Sequence, residues 1–374
     1  IISIMSNTNL DFGSITEQLN KFKKELDAFH TTKVKCGIIG RSGTGKSSLI
    51  NAIVGEEVSK VGEVETTMEV GKPYEHKGLL FFDLPGCGTN NFPKETYIND
   101  LDIKELDCVV LVTAERFYED DLFLINEVSK LDIAVFTVRT KVDFSIERGE
   151  RRGVSKSETL LSLYNDLSKN LEGTKIKGLY LTSADYPLEY DLDRLLNDIA
   201  NNLNKIKKER FIADVNSTSK KIIKEKRIVA DKLVSRYAAL SAANGLNPIP
   251  GLDVSVDIGL LLKMGNDISG IYGLNKEQQE FYKTFLDLPD SSKIKAVLGK
   301  ASQYAAKYLG KEAIIIILKK FVGASASKSV SKWIPFVGQA IAAGIGFKMT
   351  SSLGNDMVNE AEEIAIELFD SLKK

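Results

Sequence analysis

The stretch VKCGIIGRSGTGKSSLINAIV, residues 34–54, decides the fold. An apolar run typical of a buried strand leads into the glycine-rich GRSGTGKS of residues 40–47, and the segment after it predicts a helix. This is the context in which G-x-x-x-x-G-K-[ST] cradles a polyphosphate, because glycines let the backbone approach the anion and a helix N-terminus attracts it. The residues predicted to contact the nucleotide here are Gly40, Arg41, Ser42, Gly43, Thr44, Gly45, Lys46, Ser47 and Ser48.

Two of these residues carry chemistry. Lys46 is predicted to place its charge on the β- and γ-phosphates, and we count it among the catalytic residues. Ser47 is predicted to offer its hydroxyl to Mg²⁺.

A second motif, DLPG at residues 83–86, directly follows the apolar strand LLFFD. An acidic residue at a strand end beside the phosphate loop can hold Mg²⁺ through water, and we assign this role to Asp83. The backbone N–H of Gly86 can reach the γ-phosphate, so Gly86 is a second catalytic candidate. The loop after it is then a candidate switch, ordered by a triphosphate and released by a diphosphate.

The segment between these motifs, EVETTME at residues 63–69, contains a third catalytic candidate. Thr67, or alternatively Thr66, is predicted to close over Mg²⁺ and the γ-phosphate; the other interpretation is an ordinary strand edge. Residue 87 is Cys, where Ras-like proteins carry the Gln that positions the attacking water. Efficient self-contained hydrolysis is therefore not expected, and Glu65 and Arg41 are candidates for groups supplied across a dimer.

Two later segments are predicted to select the base. TKVD, residues 140–143, ends an apolar strand; Asp143 can accept hydrogen bonds from N1–H and the amine of guanine, and Lys141 can lay its stem over the ring. Thr140 stands where the common GTPase motif has Asn. In TSA, residues 182–184, Ser183 and Ala184 can present backbone N–H groups to guanine O6. Together these motifs predict GTP and GDP as ligands.

The pattern between these motifs is one of alternating strands and helices, which indicates a doubly wound, mostly parallel sheet covered on both faces. We place this α/β nucleotide-binding domain at residues 33–200. Residues 201–374 show no convincing strand and are predicted to form a helical domain, against which a helix in residues 1–32 packs. The helices expected after the last strand include 191–206, 205–243, 252–271, 335–350 and 354–373.

Composition narrows the function. Lys and Arg number 50 against 51 Asp and Glu, so the chain is not uniformly basic, and no nucleic-acid partner is expected. Three scattered Cys and two His make a structural zinc site and Ser-His-Asp chemistry improbable, and the thiols suit a reduced cytoplasm. The histidines, His30 and His76, are expected at the surface.

Four segments together resemble the immunity-related (interferon-inducible) GTPases: GRSGTGKSSLINAI, ETTME, DLPGCGTNNFPKETY and TVRTKVD. The resemblance implies a Ras-like G domain with a helical domain built from both chain ends. It further implies slow GTP hydrolysis stimulated by nucleotide-dependent self-association. Recruitment to intracellular membranes, in cell-autonomous defence, is also implied.

Two features bear on membranes. Residues 247–264 and 332–348 are apolar segments that fit either a buried hairpin or one that dips into a bilayer. Residues 201–232 carry ten Lys and Arg against four Asp and Glu, which fits either an anionic leaflet or a solvated helix face. A peripheral association with intracellular membranes is expected, and the alternatives are a nucleotide-regulated scaffold with incidental turnover and a bacterial-type, Era-like GTPase.

Overall fold

The computed structural model describes residues 12–59, 72–88, 91–114, 117–246, 258–283, 291–325 and 335–373. Its sheet has six strands in the order β2-β3-β1-β4-β5-β6. The strands are β1 (Val34–Ile39), β2 (Tyr74–His76), β3 (Leu79–Leu84), β4 (Cys108–Thr113), β5 (Ala134–Arg139) and β6 (Gly178–Leu181). β2 runs antiparallel to β3, and the other neighbouring pairs are parallel. The predicted mostly parallel sheet is confirmed.

The α-helices lie before, between and after these strands. They are α1 (Phe12–Thr31), α2 (Lys46–Val54), α3 (Tyr97–Asp100), α4 (Glu119–Ser129), α5 (Val142–Glu150), α6 (Lys156–Asn170), α7 (Leu192–Asn202), α8 (Lys205–Asp214), α9 (Lys220–Leu246), α10 (Ile258–Ile271), α11 (Lys276–Lys283), α12 (Ser291–Tyr308), α13 (Lys311–Ser325) and α14 (Pro335–Leu372). Of these, α2 packs against β3, α4 against β4 and β5, α6 and α7 against β6, and α8 against β1 and β3. Every residue of β4 and β5 is buried, as expected for central strands covered on both faces.

The sequence pattern missed two elements near the site. The helix α5 begins within the TKVD motif, at Val142, and buries Val142 and Ile146, which are four residues apart. The short strand β2 extends the sheet beyond β3. Its last residue corrects our expectation for His76, which is buried, with Nδ1 3.1 Å from a carboxylate oxygen of Glu56.

Two predicted helices are each divided in the structure. The helix expected at 191–206 ends at Asn202, and α8 begins after Asn204, whose side-chain oxygen accepts a hydrogen bond from the backbone N–H of Lys207 at 3.1 Å. An oxygen in this position replaces the missing helical acceptor, so a new helix begins there. The helix expected at 205–243 is interrupted after Asp214.

The second interruption is caused by tertiary contacts of Asn216. The backbone N–H of Asn216 donates to the carbonyl oxygen of Ile53 at 2.7 Å, and its side-chain oxygen accepts from the hydroxyl of Tyr282 at 2.7 Å. A backbone N–H that bonds to α2 cannot bond within its own helix, so the chain leaves the helical path before α9.

One long helix replaces two predicted ones. The helices expected at 335–350 and 354–373 form the continuous α14. Gly354, the first residue of the second predicted helix, lies inside it: a Cβ there would be 2.6 Å from Cγ1 of Val234 and 3.1 Å from Sδ of Met264. The glycine therefore permits close packing and does not end the helix.

The chain divides into two compact units. One gathers the described parts of Ile1–Thr31, Ile223–Gln279 and Leu286–Ser371, and the other those of Thr32–Ile222, Glu280–Phe285 and Leu372–Lys374. The first unit is helical in its described residues and draws on both ends of the chain, as the resemblance implied. The sheet lies in the second unit. The domain boundaries at residues 32 and 200 remain predictions.

Within the helical unit, α1 is joined to its neighbours by a polar cluster. His30, expected at the surface, is only partly exposed; its Nε2 lies 3.2 Å from the Tyr237 hydroxyl and 3.3 Å from a carboxylate oxygen of Asp267. Tyr237 is fully buried, and its hydroxyl donates to Asp267 at 2.5 Å. The cluster links the end of α1 to α9 and α10.

Candidate functional site

The phosphate loop joins the C-terminal end of β1 to the N-terminus of α2. Gly43 and Gly45 have φ of 77° and 83°, in the left-handed region that glycine occupies without strain. Gly40 has no room for a side chain, since a Cβ there would lie 2.4 Å from the carbonyl oxygen of Val112 on β4. Backbone geometry thus requires all three glycines of the predicted loop.

Lys46 and Asp83 are brought together beside this loop. The Nζ atom of Lys46 donates to the carbonyl oxygens of Gly40 at 2.9 Å and Arg41 at 3.2 Å, and it lies 3.5 Å from a carboxylate oxygen of Asp83. Burial raises the pKa of Asp83, and the Lys46 ammonium opposes that rise. The ammonium is thus positioned inside the loop, where the sequence predicted a phosphate-binding charge.

Ser47 and Asp83 fit the chemistry of Mg²⁺. Asp83 pairs with Ile38 in the register of β1 and β3, near the end of β1 that leads into the phosphate loop, and Ser47 lies in the first turn of α2. A hydroxyl and a carboxylate are hard oxygen donors, and Mg²⁺ typically combines one or two such groups with water and substrate phosphates. In the described residues no group of three or more His, Cys, Asp or Glu is arranged to hold a metal. A magnesium ion here would therefore take most of its ligands from the nucleotide and water.

The DLPG loop lies against the phosphate loop at Gly86. A Cβ on Gly86 would be 3.1 Å from Cγ of Arg41. The carbonyl oxygen of Pro85 accepts a hydrogen bond from the Tyr97 hydroxyl at 2.5 Å, which fixes the loop to α3. The Cys87 side chain is buried, and this burial raises the pKa of its thiol.

The base-selecting loop is bonded to the phosphate loop by Thr140 and Lys141. The buried Thr140 hydroxyl lies 2.5 Å from the carbonyl oxygen of Thr44 and 3.2 Å from that of Thr113. Lys141 has φ of 57°, and its Nζ donates to the carbonyl oxygen of Gly43 at 2.8 Å. A threonine in the usual Asn position therefore still connects the two loops.

Asp143 is the second residue of α5 and lies beside the loop that follows β6. The N–H of Val142 donates to the Thr182 carbonyl oxygen at 3.3 Å, which holds the TKVD and TSA loops side by side. Asp143 and Asp185 line one cleft of about 380 Å³. Burial, and then the charge of Asp143, raise the pKa of Asp185.

The TSA residues have different environments. Ser183 is buried, and its hydroxyl oxygen accepts from the N–H of Tyr186 at 3.3 Å. Ala184 is partly exposed beside it. Their predicted contacts with guanine O6 remain a prediction.

Some of the predicted residues are not among those that the structure describes. Thr67, Thr66 and Glu65 fall outside the described residues, as do 247–257 and 332–334 of the two apolar segments.

Sequence reasoning missed one acidic neighbour of the phosphate loop. Asp120 lies 3.4 Å from Nη2 of Arg41 and 2.7 Å from Nζ of Lys94. The sequence YEDD, residues 118–121, could have indicated a helix start here, because acidic side chains are favoured in the first turn of a helix. In the structure α4 starts at Glu119.

Three functional loops thus leave the same edge of one parallel sheet: a glycine-rich phosphate loop, an acidic DLPG loop and a base-selecting loop. This arrangement defines the class of P-loop guanine-nucleotide-binding proteins. The model of the interferon-inducible GTPase (IIGP) family matches residues 2–279, and the chain belongs to that family. GTP binding and GTP hydrolysis follow from this membership.

Individual relatives agree with the family. Interferon-inducible GTPase 1 of Mus musculus is 28% identical over 301 residues, which cover 76% of this chain and 67% of the relative. Interferon-inducible GTPase 5 of Rattus norvegicus is 25% identical over 387 residues, covering 97% and 81% respectively. Among solved structures, a probable GTP-binding protein engB is 23% identical and covers 46% of this chain and 99% of that one, with a TM-score of 0.32.

Proposed function

We propose that this GTPase uses its nucleotide state to control self-association and attachment to intracellular membranes, in cell-autonomous defence. The observation that carries the proposal is the meeting of Lys46, Asp83 and the Thr140–Lys141 loop around one phosphate loop. Groups from three strand ends then respond to a single ligand, which is the requirement for a nucleotide switch.

In the proposed reaction, water attacks the γ-phosphorus and the bond to the β–γ bridging oxygen breaks, giving GDP and phosphate. Lys46 and the Gly86 N–H stabilise charge on the phosphate oxygens, and Asp143 selects guanine. Ser47, Asp83 through water and the predicted Thr67 would hold Mg²⁺, which neutralises phosphate charge when bound. Catalysis rests on positioning and electrostatics, because no described residue here is placed as a general base.

Self-association is proposed because, among the residues that the structure describes around the site, Cys87 stands where Ras-like proteins carry the group that orients the water. The residue after Gly86 is Cys87, which is 3% exposed, and burial raises the pKa of its thiol, so it stays uncharged and turned into the core. A second copy of the chain can supply the missing group, which agrees with the hydrolysis stimulated by self-association that the family resemblance implies. Turnover per molecule then rises with protein concentration.

The surface that we propose for membrane contact contains fewer cations than the sequence suggested. Within residues 201–232, Arg210 and Lys226 are buried, and Arg227 pairs with Glu362 at 2.7 Å. The exposed cations of this stretch are Lys205, Lys220, Lys221 and Lys224. We propose that the last three, near the start of α9, contact an anionic leaflet of a cytoplasm-facing membrane. Among the described helices, none is long and apolar enough to cross a bilayer.

Purified protein tests each part. GTP turnover is measured over a range of protein concentrations, together with assembly state in GTP and in GDP. A rise in turnover per molecule supports the switch, whereas concentration-independent, near-zero turnover with GTP-driven assembly would favour a scaffold. Sedimentation with anionic and neutral vesicles, for wild type and for Lys220→Gln/Lys221→Gln/Lys224→Gln, tests the membrane surface; equal binding to both vesicle types refutes it.

The nucleotide site is tested by two substitutions. Lys46→Ala is expected to abolish measurable GTP binding. Asp143→Asn removes a charged acceptor worth about 1.5–3 kcal/mol per hydrogen bond, so GTP binding should weaken at least ~10-fold while the preference for guanine over xanthine is lost. An unchanged preference means that Asp143 does not read the base.

A further inference from the structure

The phosphate loop and the loop beyond DLPG share one carboxylate. We call Arg41, Lys94, Tyr118 and Asp120 the Asp120 cluster. One oxygen of Asp120 lies 3.4 Å from Nη2 of Arg41, and the other lies 2.7 Å from Nζ of Lys94. The Arg41 guanidinium also stacks on the Tyr118 ring, 3.6 Å from its centre. Two cations from different loops thus share the same acid, one on each carboxylate oxygen.

Arg41 passes directly beside the position proposed for the γ-phosphate. Its Cγ would be 3.1 Å from a Cβ on Gly86, the residue whose N–H we propose contacts that phosphate. The Arg41 side chain is 44% exposed, so its outer bonds can rotate into solvent without displacing buried side chains. Asp120 also touches the switch loop, since a Cβ on Gly88 would lie 2.5 Å from its carboxylate.

We propose that Arg41 stabilises the γ-phosphoryl group within its own protomer, and that Asp120 is a positioning residue which competes with the phosphate for this guanidinium. The inference rests on the proposed placement of the γ-phosphate at Gly86. A guanidinium can donate two parallel hydrogen bonds to phosphoryl oxygens, which carry the spread charge of the transition state. When Arg41 turns to them, Lys94 remains to neutralise Asp120, so no carboxylate is left without a cation.

Substitutions of Asp120 and of its partner Lys94 should change kcat in opposite directions. Asp120→Asn releases Arg41 and should raise kcat by about two- to fivefold, the factor that a partly exposed ion pair can hold back. Lys94→Met leaves Asp120 to Arg41 alone and should lower kcat by a similar factor. A merely structural cluster would move both variants in the same direction. Glu119→Gln, the same charge change one residue away, is the matched control and should leave kcat unchanged.

Substitutions of Arg41 test whether its side chain takes part in the reaction. Arg41→Ala should lower kcat at least ~10-fold with a smaller change in KM, and Arg41→Lys should recover part of the loss. Asp120→Asn should have no effect in the Arg41→Ala background. These rates are measured at protein concentrations where turnover per molecule is constant. An effect of Arg41 seen there arises within one protomer and not across a dimer.

Three results would overturn the inference: a fall or no change in kcat for Asp120→Asn, an equal rise in the Arg41→Ala background, or a rise seen only at concentrations where the protein self-associates. GTP binding is measured in parallel for wild type and each variant. Failure of wild type to bind GTP would reject the proposed site itself, whereas normal binding with any of these three results rejects only the role of Arg41 and Asp120.

Discussion

Removing Asp214 should strongly destabilise the unit that carries the nucleotide site. Asp214 ends α8 and accepts two hydrogen bonds from Arg210, at 2.5 and 2.8 Å, and a third from the N–H of Gly78 at 2.9 Å. The side chains of Arg210 and Asp214 are 9% and 3% exposed. Asp214→Ala therefore removes a carboxylate that is paired with a buried guanidinium.

The size of the loss follows from burial. Breaking a buried ion pair by removing one partner costs about 3–5 kcal/mol, a large fraction of the roughly 5–15 kcal/mol that stabilises a domain. For a unit of this size, each kcal/mol lowers the melting temperature by about 2–4 °C, so Asp214→Ala should lower it by about 6–20 °C. The transition to follow is the one that GDP shifts upward, since it reports the nucleotide-binding unit.

A second i,i+4 pair in the same unit provides the control. Arg151 and Glu147 are also 2.5 Å apart, but their side chains are 75% and 60% exposed. Glu147→Ala should cost no more than about 0.5 kcal/mol, because solvent screens an exposed pair. Equal melting shifts for Asp214→Ala and Glu147→Ala would refute the argument from burial. The double change Arg210→Met/Asp214→Leu should recover most of the lost stability, since it removes both charges.

Three further outcomes are expected. Thr140→Val removes the hydroxyl that bonds to the phosphate loop and should lower the free energy of unfolding by about 1–2 kcal/mol, measured by denaturant titration; no change would mean that this bond contributes nothing. Ser155→Ala removes the capping box with Glu158 and should cost about 1 kcal/mol, which Ser155→Asp should largely restore. The hydrogen bond from His76 lowers the pKa of Glu56 below 4.5, so this group stabilises the fold above pH 4.5 and its contribution is lost as pH falls through the lower folded value. Melting temperatures from pH ~6 to ~3 should therefore fall less steeply for Glu56→Gln than for wild type, and parallel curves would contradict the linkage.

The basic stretch of residues 201–232 shows why a count of charged residues did not predict which of them are exposed. The sequence places ten cations within residues 201–232, and the count alone treats them as equivalent. In the structure Arg210 turns inward to Asp214, and Lys226 is 1% exposed, with its ammonium bonded to the carbonyl oxygen of Ile271 at the end of α10. These partners lie on other turns or other helices, so hydropathy along the chain does not identify them.

The helix breaks also show that contacts between distant residues cannot be read from the sequence. Asn204 is a helix-capping residue that could have been read from the sequence, whereas the break at Asn216 depends on Ile53 and Tyr282, far away in the chain. Gly354 lies where the sequence was divided into two helices, and in the one continuous helix of the structure it is a packing position against Val234.

The sequence by itself determined the class of sheet and the identity of the phosphate, DLPG and base-selecting loops. It could do so because phosphate chemistry requires particular residues at fixed spacings, and strands buried on both faces read as continuous apolar runs. Only the tertiary structure decided which groups meet: Lys46 with Asp83, Thr140 with Thr44, and Arg41 with Asp120. The physical reason is that these pairs join residues separated by 37 to 96 positions, brought together because parallel strands end at one edge of the sheet.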